Sequence, residues 1–237
     1  MSLLKIPIII ILTVGFKVML TPPQPPPTAE EVVPTSKTDF QALRLYRLQF
    51  ARLGQIILAA VEISALFAHA GPIISNSQKE LAMFLMGGRN PDRLYLSRFG
   101  AFGAILSIMG AAIRIRAFRD LGRFFRFQIS IQKDHQLIKT GPYAYVRHPS
   151  YTGLTLATVG WFIYHCSEGS WLRESGLLET PIGLAAFTAY LIPTILHMQI
   201  ITLSRMSNED AALREKFGHE WDAWAKDVPY LLIPGIY

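Results

Sequence analysis

Four stretches of this chain, 53–74, 95–113, 150–167 and 181–203, are apolar and almost free of charge. Each is close to the roughly 20 residues that take a helix across about 30 Å of hydrocarbon. A fifth such stretch, LLKIPIIIILTVGFKVML, lies at 3–20. In lipid a backbone must satisfy its own polar groups, so segments of this kind are helices. The pattern predicts an all-α, polytopic transmembrane helical bundle of about five spans. Composition agrees, because only 17% of the 237 residues are charged against about 25% in soluble domains. Mean hydropathy is +0.28.

The segment 3–20 has two readings. Lys5 suits the positive region of a signal peptide, but no clear small-residue cleavage site comes after the apolar run. The next residues are TPPQPPP at 21–27, a run that ends a helix and forms a stiff extended linker. A retained first transmembrane helix is the favoured reading. The chain then divides into an N-terminal helix and Pro-rich linker, 1–52, and a membrane core, 53–237. The single cysteine, Cys166, excludes an intrachain disulfide and a cysteine-based metal site, and no HxxxH or HExxH pair is present.

Charge gives orientation. Residues 114–149 hold Arg114, Arg116, Arg119, Arg123, Arg126, Lys133, Lys139 and Arg147, whereas 168–180 has Arg173 against Glu168, Glu174 and Glu179. The positive-inside tendency puts 114–149 and the C-terminus in the cytosol. The net charge of +6 is thereby explained by the membrane, and no nucleic-acid motif accompanies it.

Residues 207–226, SNEDAALREKFGHEWDAWAK, are too polar to span. Ser207 is a plausible helix cap, Gly218 a plausible break, and Leu213, Phe217, Trp221 and Trp224 recur at helical spacing. This predicts an amphipathic helix lying on the membrane or covering a site. In the third span, Gly103, Ser107 and Ala111 recur every four residues, a face that lets helices approach closely.

The chemistry concentrates in HQLIKTGPYAYVRHPSYTG, 135–153. Gly141-Pro142 and His148-Pro149 are turn or extended signals. Tyr143, Tyr145 and Tyr151 add rings and hydroxyls, and Arg147 and His148 add donors. Aromatic and basic anchors at membrane ends have similar composition, but an anchor needs neither the pair of prolines nor a second histidine upstream. Arg205 and Glu209 share a helix face in RMSNED. Alone they read as an intrahelical ion pair worth about 0.2–0.5 kcal/mol; at a membrane exit a charge tends to have a partner or a task.

The stretch 135–153, of pattern HxLxxxGPYxxxRHPxYxG, precedes two apolar spans and then RMSNEDAALREKFGHEWDAWAKDVPYLLIP. Together they resemble the isoprenylcysteine carboxyl methyltransferase family, and the wider set of integral-membrane methyltransferases that includes phospholipid methyltransferases. The likeness covers about 95–237, with motifs at 132–153 and 205–234. It implies S-adenosyl-L-methionine as cofactor and methyl transfer to the C-terminal carboxylate of prenylated cysteine in proteins, at the cytosolic face of the endoplasmic reticulum membrane. Carried over, the cofactor contacts fall on Gln132, His135, Gln136, Leu137, Ile138, Tyr143, His148, Pro149, Ser150, Tyr151 and Glu209. The catalytic, substrate-binding arginine falls on Arg205. The run Asn208-Glu209-Asp210 departs from the consecutive glutamates common in the family.

The residues fit such a transfer. A carboxylate is ionised at neutral pH, so no general base is required, and alignment alone is worth about 7–11 kcal/mol. Two alternatives remain at this level. One is a phospholipid or small-molecule methyltransferase, whose amine acceptor would call for a base where this chain has Arg205. The other is a noncatalytic membrane scaffold.

Overall fold

Helices α4 (Arg98–Leu121) and α5 (Pro149–Cys166) approach so closely that glycine is required between them. A Cβ on Gly110 would lie 2.3 Å from the Ala157 nitrogen, and one on Gly160 would lie 2.4 Å from the Ser107 nitrogen. Gly103 meets Tyr164 and Gly153 meets Arg114 in the same way. The pair is antiparallel, and its small-residue seam is the one the Gly103–Ser107 spacing predicts. Ala111, the third member of that spacing, faces Gly15 of the first helix instead.

The computed structural model describes residues 2–28, 30–33, 41–70, 75–192, 194 and 197–236. It is all-α. Around the central pair stand α1 (Lys5–Met19), α2 (Gln41–Ala70) and α3 (Asn76–Leu85), then a short α6 (Trp171–Glu174), α7 (Pro181–Leu191), α8 (His197–Phe217) and α9 (His219–Asp227). Boundaries follow local chemistry. The Ser97 hydroxyl accepts from the Gly100 N–H at the start of α4, and Pro149 and Pro181 occupy first-turn positions where a missing N–H costs nothing.

Several boundaries differ from the sequence reading. The third span, placed at 95–113, continues to Leu121, so Arg114, Arg116 and Arg119 sit on helix rather than in a loop. Helix α2 begins at Gln41 and crosses the 52/53 division unbroken. Ser207 is no cap, because α8 runs through it from His197. The hydrophilic stretch is a continuation of that helix. Gly218, at φ +53°, does separate α8 from α9. Two of the described helices, within Leu48–His69 and Arg98–Phe124, are long and apolar enough to cross a membrane.

Helix α1 is built into the core. Ile6, Ile9 and Leu12 pack with Ala59, Leu66 and Tyr164, while Phe16 and Met19 pack with Leu154, Ala157 and Trp161. Lys5 is buried in an ion pair with buried Glu62 of α2, and it donates to the Gly169 carbonyl beyond α5. Gln55 of α2 accepts from the Trp161 indole and contacts His165. The linker after α1 then crosses to the α4–α5 connection. Val32 and Ser130 form an antiparallel bridge, flanked by Ile131 N–H to Glu31 O at 2.9 Å and Val33 N–H to Ile129 O at 3.1 Å.

Candidate functional site

The long connection from α4 to α5 makes one wall of a cavity, and α8 makes the wall opposite. Gly122, at φ +55°, stops α4. The chain then runs through Phe124, Phe125 and Phe127 into the segment bridged by the linker. Gly141 lets it turn back. Its φ is +62°, and a Cβ there would sit 2.1 Å from an Asp120 carboxylate oxygen. Pro142 comes next, and the turn buries Tyr143. The backbone of Arg147 and His148 is then held by the C-terminal tail, N–H to Tyr230 O at 2.9 Å and N–H to Leu231 O at 3.0 Å.

His148 occupies the N-cap position of α5 and its ring makes no cap bond, which leaves both nitrogens for α8. Nε2 lies 3.1 Å from Asp210 Oδ1, and Nδ1 lies 3.6 Å from Glu209 Oε2. Glu209 is also reached by Arg205 Nη2 at 3.0 Å and by the Tyr151 hydroxyl. Arg205 Nε donates to the Tyr151 oxygen at 3.1 Å, and Arg147 stands 3.5 Å from Asp210. Thus two adjacent acids on α8 divide the work: Glu209 takes Arg205 and Tyr151, and Asp210 takes Arg147 and a bond from His148.

The charge states are set by these contacts. Burial alone would push the His148 imidazolium down, but the bonds to Asp210 and Glu209 override it and lift the pKa to about 9. An imidazole that faces a carboxylate on each nitrogen donates from both only as the cation. Burial would raise Glu209, yet His148 and Arg205 bring it down to about 2. His135 is pushed down by burial and by Lys216 and Arg123. Its neutral ring stacks on Phe124 with centroids 4.6 Å apart. The Tyr143 phenol is pushed up by burial and by Glu209.

The cavity is a cleft partly open to solvent. It has an ionic pole at His148, Tyr151, Arg205 and Glu209, and a wall of Phe124, Phe125, Phe127, Ile129, Ile131, Leu137 and Leu213 interrupted by Arg126 and Gln128. Of the residues singled out from sequence, His135, Gln136, Leu137, Ile138, Tyr143, His148, Ser150, Tyr151, Arg205 and Glu209 line it. Gln132 does not, because its side-chain amide is spent on the Arg123 carbonyl at 2.9 Å. Pro149 does not either, being buried as the first residue of α5.

Other lining residues escaped the sequence reading. Arg114 is buried, and it donates to Met19 O at 3.0 Å, to Ser150 O at 3.0 Å and to Ser150 Oγ at 2.7 Å. It ties the end of α1 to the start of α5. A lone arginine inside the apolar period of α4 was the available signal, hidden by assigning it to a loop. Trp221 and Trp224, expected from sequence on an amphipathic helix, are buried against Ala117 and Tyr143, and Trp224 lines the cavity, so α9 covers the site. Trp224 Nε1 reaches the Tyr143 carbonyl at 3.3 Å.

Residues 103–169 match the model of the isoprenylcysteine carboxyl methyltransferase family. Among curated proteins, the chain is 28% identical over 130 residues to protein-S-isoprenylcysteine O-methyltransferase B of Arabidopsis thaliana, covering 54% of this chain and 56% of that one. It is 30% identical over 128 residues to a probable protein-S-isoprenylcysteine O-methyltransferase of Oryza sativa subsp. indica, covering 53% and 56%. It is 26% identical over 102 residues to the delta(14)-sterol reductase TM7SF2 of Mus musculus, covering 43% and 20%. The matched stretch thus spans about half the length of the first two relatives.

Proposed function

We propose that the chain belongs to the isoprenylcysteine carboxyl methyltransferase family, whose model residues 103–169 match, and that it methylates the C-terminal carboxylate of prenylated cysteine, with S-adenosylmethionine as donor. The observation that carries this reading is the meeting of α8 and the start of α5: Arg205 and Glu209 share one cavity with His148 and Tyr151.

The cavity fits the donor. Its aromatic pole suits a flat base, and Glu209, held as the anion, suits an ammonium. His135, Gln136, Leu137, Ile138, Tyr143, His148, Ser150 and Tyr151 are the proposed contacts beside it. When bound, the donor supplies a methyl group on a sulfonium. The chain's residues do the rest. Arg205 holds the acceptor carboxylate by charge-assisted bonds, exchanging its bond to Glu209 for one to the acceptor. Tyr151, between Arg205 and Glu209, keeps the two oriented. Trp224 and α9 keep water out. No residue takes a proton, because the acceptor is already ionised.

The membrane arrangement extends this reading. Apolar side chains lie exposed on the outer faces of α1, α2, α4 and α7: Ile11, Leu53, Phe102, Ile105 and Ile182 are each more than half exposed. Such a belt suits lipid. It supports a multi-pass protein of about five spans, with α7 and the first part of α8 as the last. The cluster of arginines then lies on the cytosolic face, and the endoplasmic reticulum is the proposed membrane.

The test is direct. Purified protein is incubated with methyl-labelled S-adenosylmethionine and either a farnesylated cysteine analogue or phosphatidylethanolamine. Base-labile label on the cysteine analogue supports the proposal. Label on the lipid amine alone assigns a phospholipid methyltransferase, and no donor binding at all leaves a scaffold.

A further inference from the structure

Resting on the reading that the cavity takes S-adenosylmethionine, we infer that Ser130 is a binding residue for the nucleobase half of the donor, held in register by linker residues 31–33. Ser130 is 8% exposed, it lines the cavity, and its hydroxyl has no hydrogen-bond partner. A buried hydroxyl left unsatisfied is costly, and a ligand with a complementary group at that point removes the cost.

The linker positions Ser130 without using that hydroxyl. The bonds that fix it belong to its neighbours, Ile129 O and Ile131 N–H. Val32 and Ser130 are therefore a narrow, non-hydrogen-bonded pair, and the backbone N–H and C=O of Ser130 point away from the linker. Its hydroxyl both donates and accepts, and Ser130 shares the cavity lining with Phe124, Phe125, Phe127, Ile129 and Ile131. Arg205, Glu209 and His148 gather at the other pole, while Arg126 and Gln128 interleave with the phenylalanines. A donor with one ionic end and one flat, neutral, nitrogen-edged end is thereby sorted. Its amino-acid end goes to α8 and its base to the phenylalanine wall, where Ser130 is the buried neutral polar group. The N-terminal segment, outside the stretch that matches the family, thus helps to build the donor site.

Two measurements test this. Titration calorimetry with S-adenosylhomocysteine compares wild type, Ser130→Ala, Ser130→Thr and Val33→Pro, the last of which removes the N–H that reaches Ile129. Ser130→Ala weakens binding about fivefold, Ser130→Thr restores it, and Ser130→Ala adds little further loss on top of Val33→Pro. Photolysis with 8-azido-S-adenosylmethionine places the label on residues 127–133. Unchanged affinity in Ser130→Ala, or label confined to 139–151 or 197–217, overturns the inference while leaving the cavity a donor site. If wild type binds neither ligand, both this inference and the proposed donor fail.

Discussion

The His148 ring stands 3.1 Å from an Asp210 carboxylate oxygen and turns its other nitrogen toward Glu209, at 3.6 Å. Two helices far apart in sequence are thereby joined by charge, and the join has a pH dependence. His148 titrates at about 9 in the fold against about 6.5 free. Its contribution to stability is fully present below about 6.5 and is lost as pH rises through about 9. Glu209, lowered to about 2 from 4.5, contributes above about 4.5 and loses its share as pH falls through about 2. Thermal melts in detergent from pH 6 to pH 10 will show wild type losing more stability than His148→Gln over that interval. Parallel curves would remove the imidazolium from the account.

Arg205 and Glu209 lie one turn apart on α8, 3.0 Å from each other, yet they are expected to fail differently. Glu209→Ala strips a buried acid from the proposed donor site and is expected to weaken donor binding by roughly 30-fold or more. Arg205→Ala should leave donor affinity within about threefold and raise the acceptor KM by a comparable 30-fold or more. Arg205→Lys should recover little, because an ammonium lacks the planar fork. Equilibrium dialysis and steady-state kinetics separate the two. Normal activity in both alanine variants would reduce the pair to a structural salt bridge.

The seam between α4 and α5 tolerates no side chain at Gly110, where a Cβ meets backbone at 2.3 Å. Gly110→Ala is expected to cost about 1–3 kcal/mol or more through overpacking, read as a lower melting temperature and loss of monodisperse protein. Gly15→Ala is the control, since its Cβ would make an ordinary 3.5 Å contact with Ala111.

Helix α1 is anchored by a charge pair with both side chains at 2% exposure or less. Lys5→Met leaves Glu62 buried without its cation and should cost about 3–5 kcal/mol. Lys5→Met with Glu62→Leu should recover much of that loss, because a well-packed apolar pair often matches a buried ion pair. Chemical unfolding of the two variants decides. Equal instability would mean that helix packing, not charge, holds α1.

The legible parts of this protein were those written locally. Apolar runs announced helices, and the spacing of Gly103 and Ser107 announced a close seam. The run from His135 to Tyr151 announced a polar segment of unusual content. Three features were not legible because they depend on distance. Gln132 carries a type suited to a ligand contact, but its amide serves the Arg123 carbonyl, a choice made by a loop's path. Arg114 sits where a helix was expected to have ended, and its partners Met19 and Ser150 are 95 and 36 residues away. Asp210 follows the expected cap at Ser207, but α8 runs on through both, and this places Asp210 beside His148. The bridge from Val32 to Ser130 has no local signature, because one pair of residues in an irregular segment shows no alternation.

The fused backbones of α4 and α5 also bear on how molecules enter and leave. Helices in contact along their main chains cannot splay, so the chamber has a rigid jamb on that side. On the opposite side α9 is held by side-chain packing, Trp221 and Trp224 against Ala117 and Tyr143, with Gly218 at positive φ between α8 and α9. Any widening of the chamber is therefore expected on the α9 side rather than between α4 and α5.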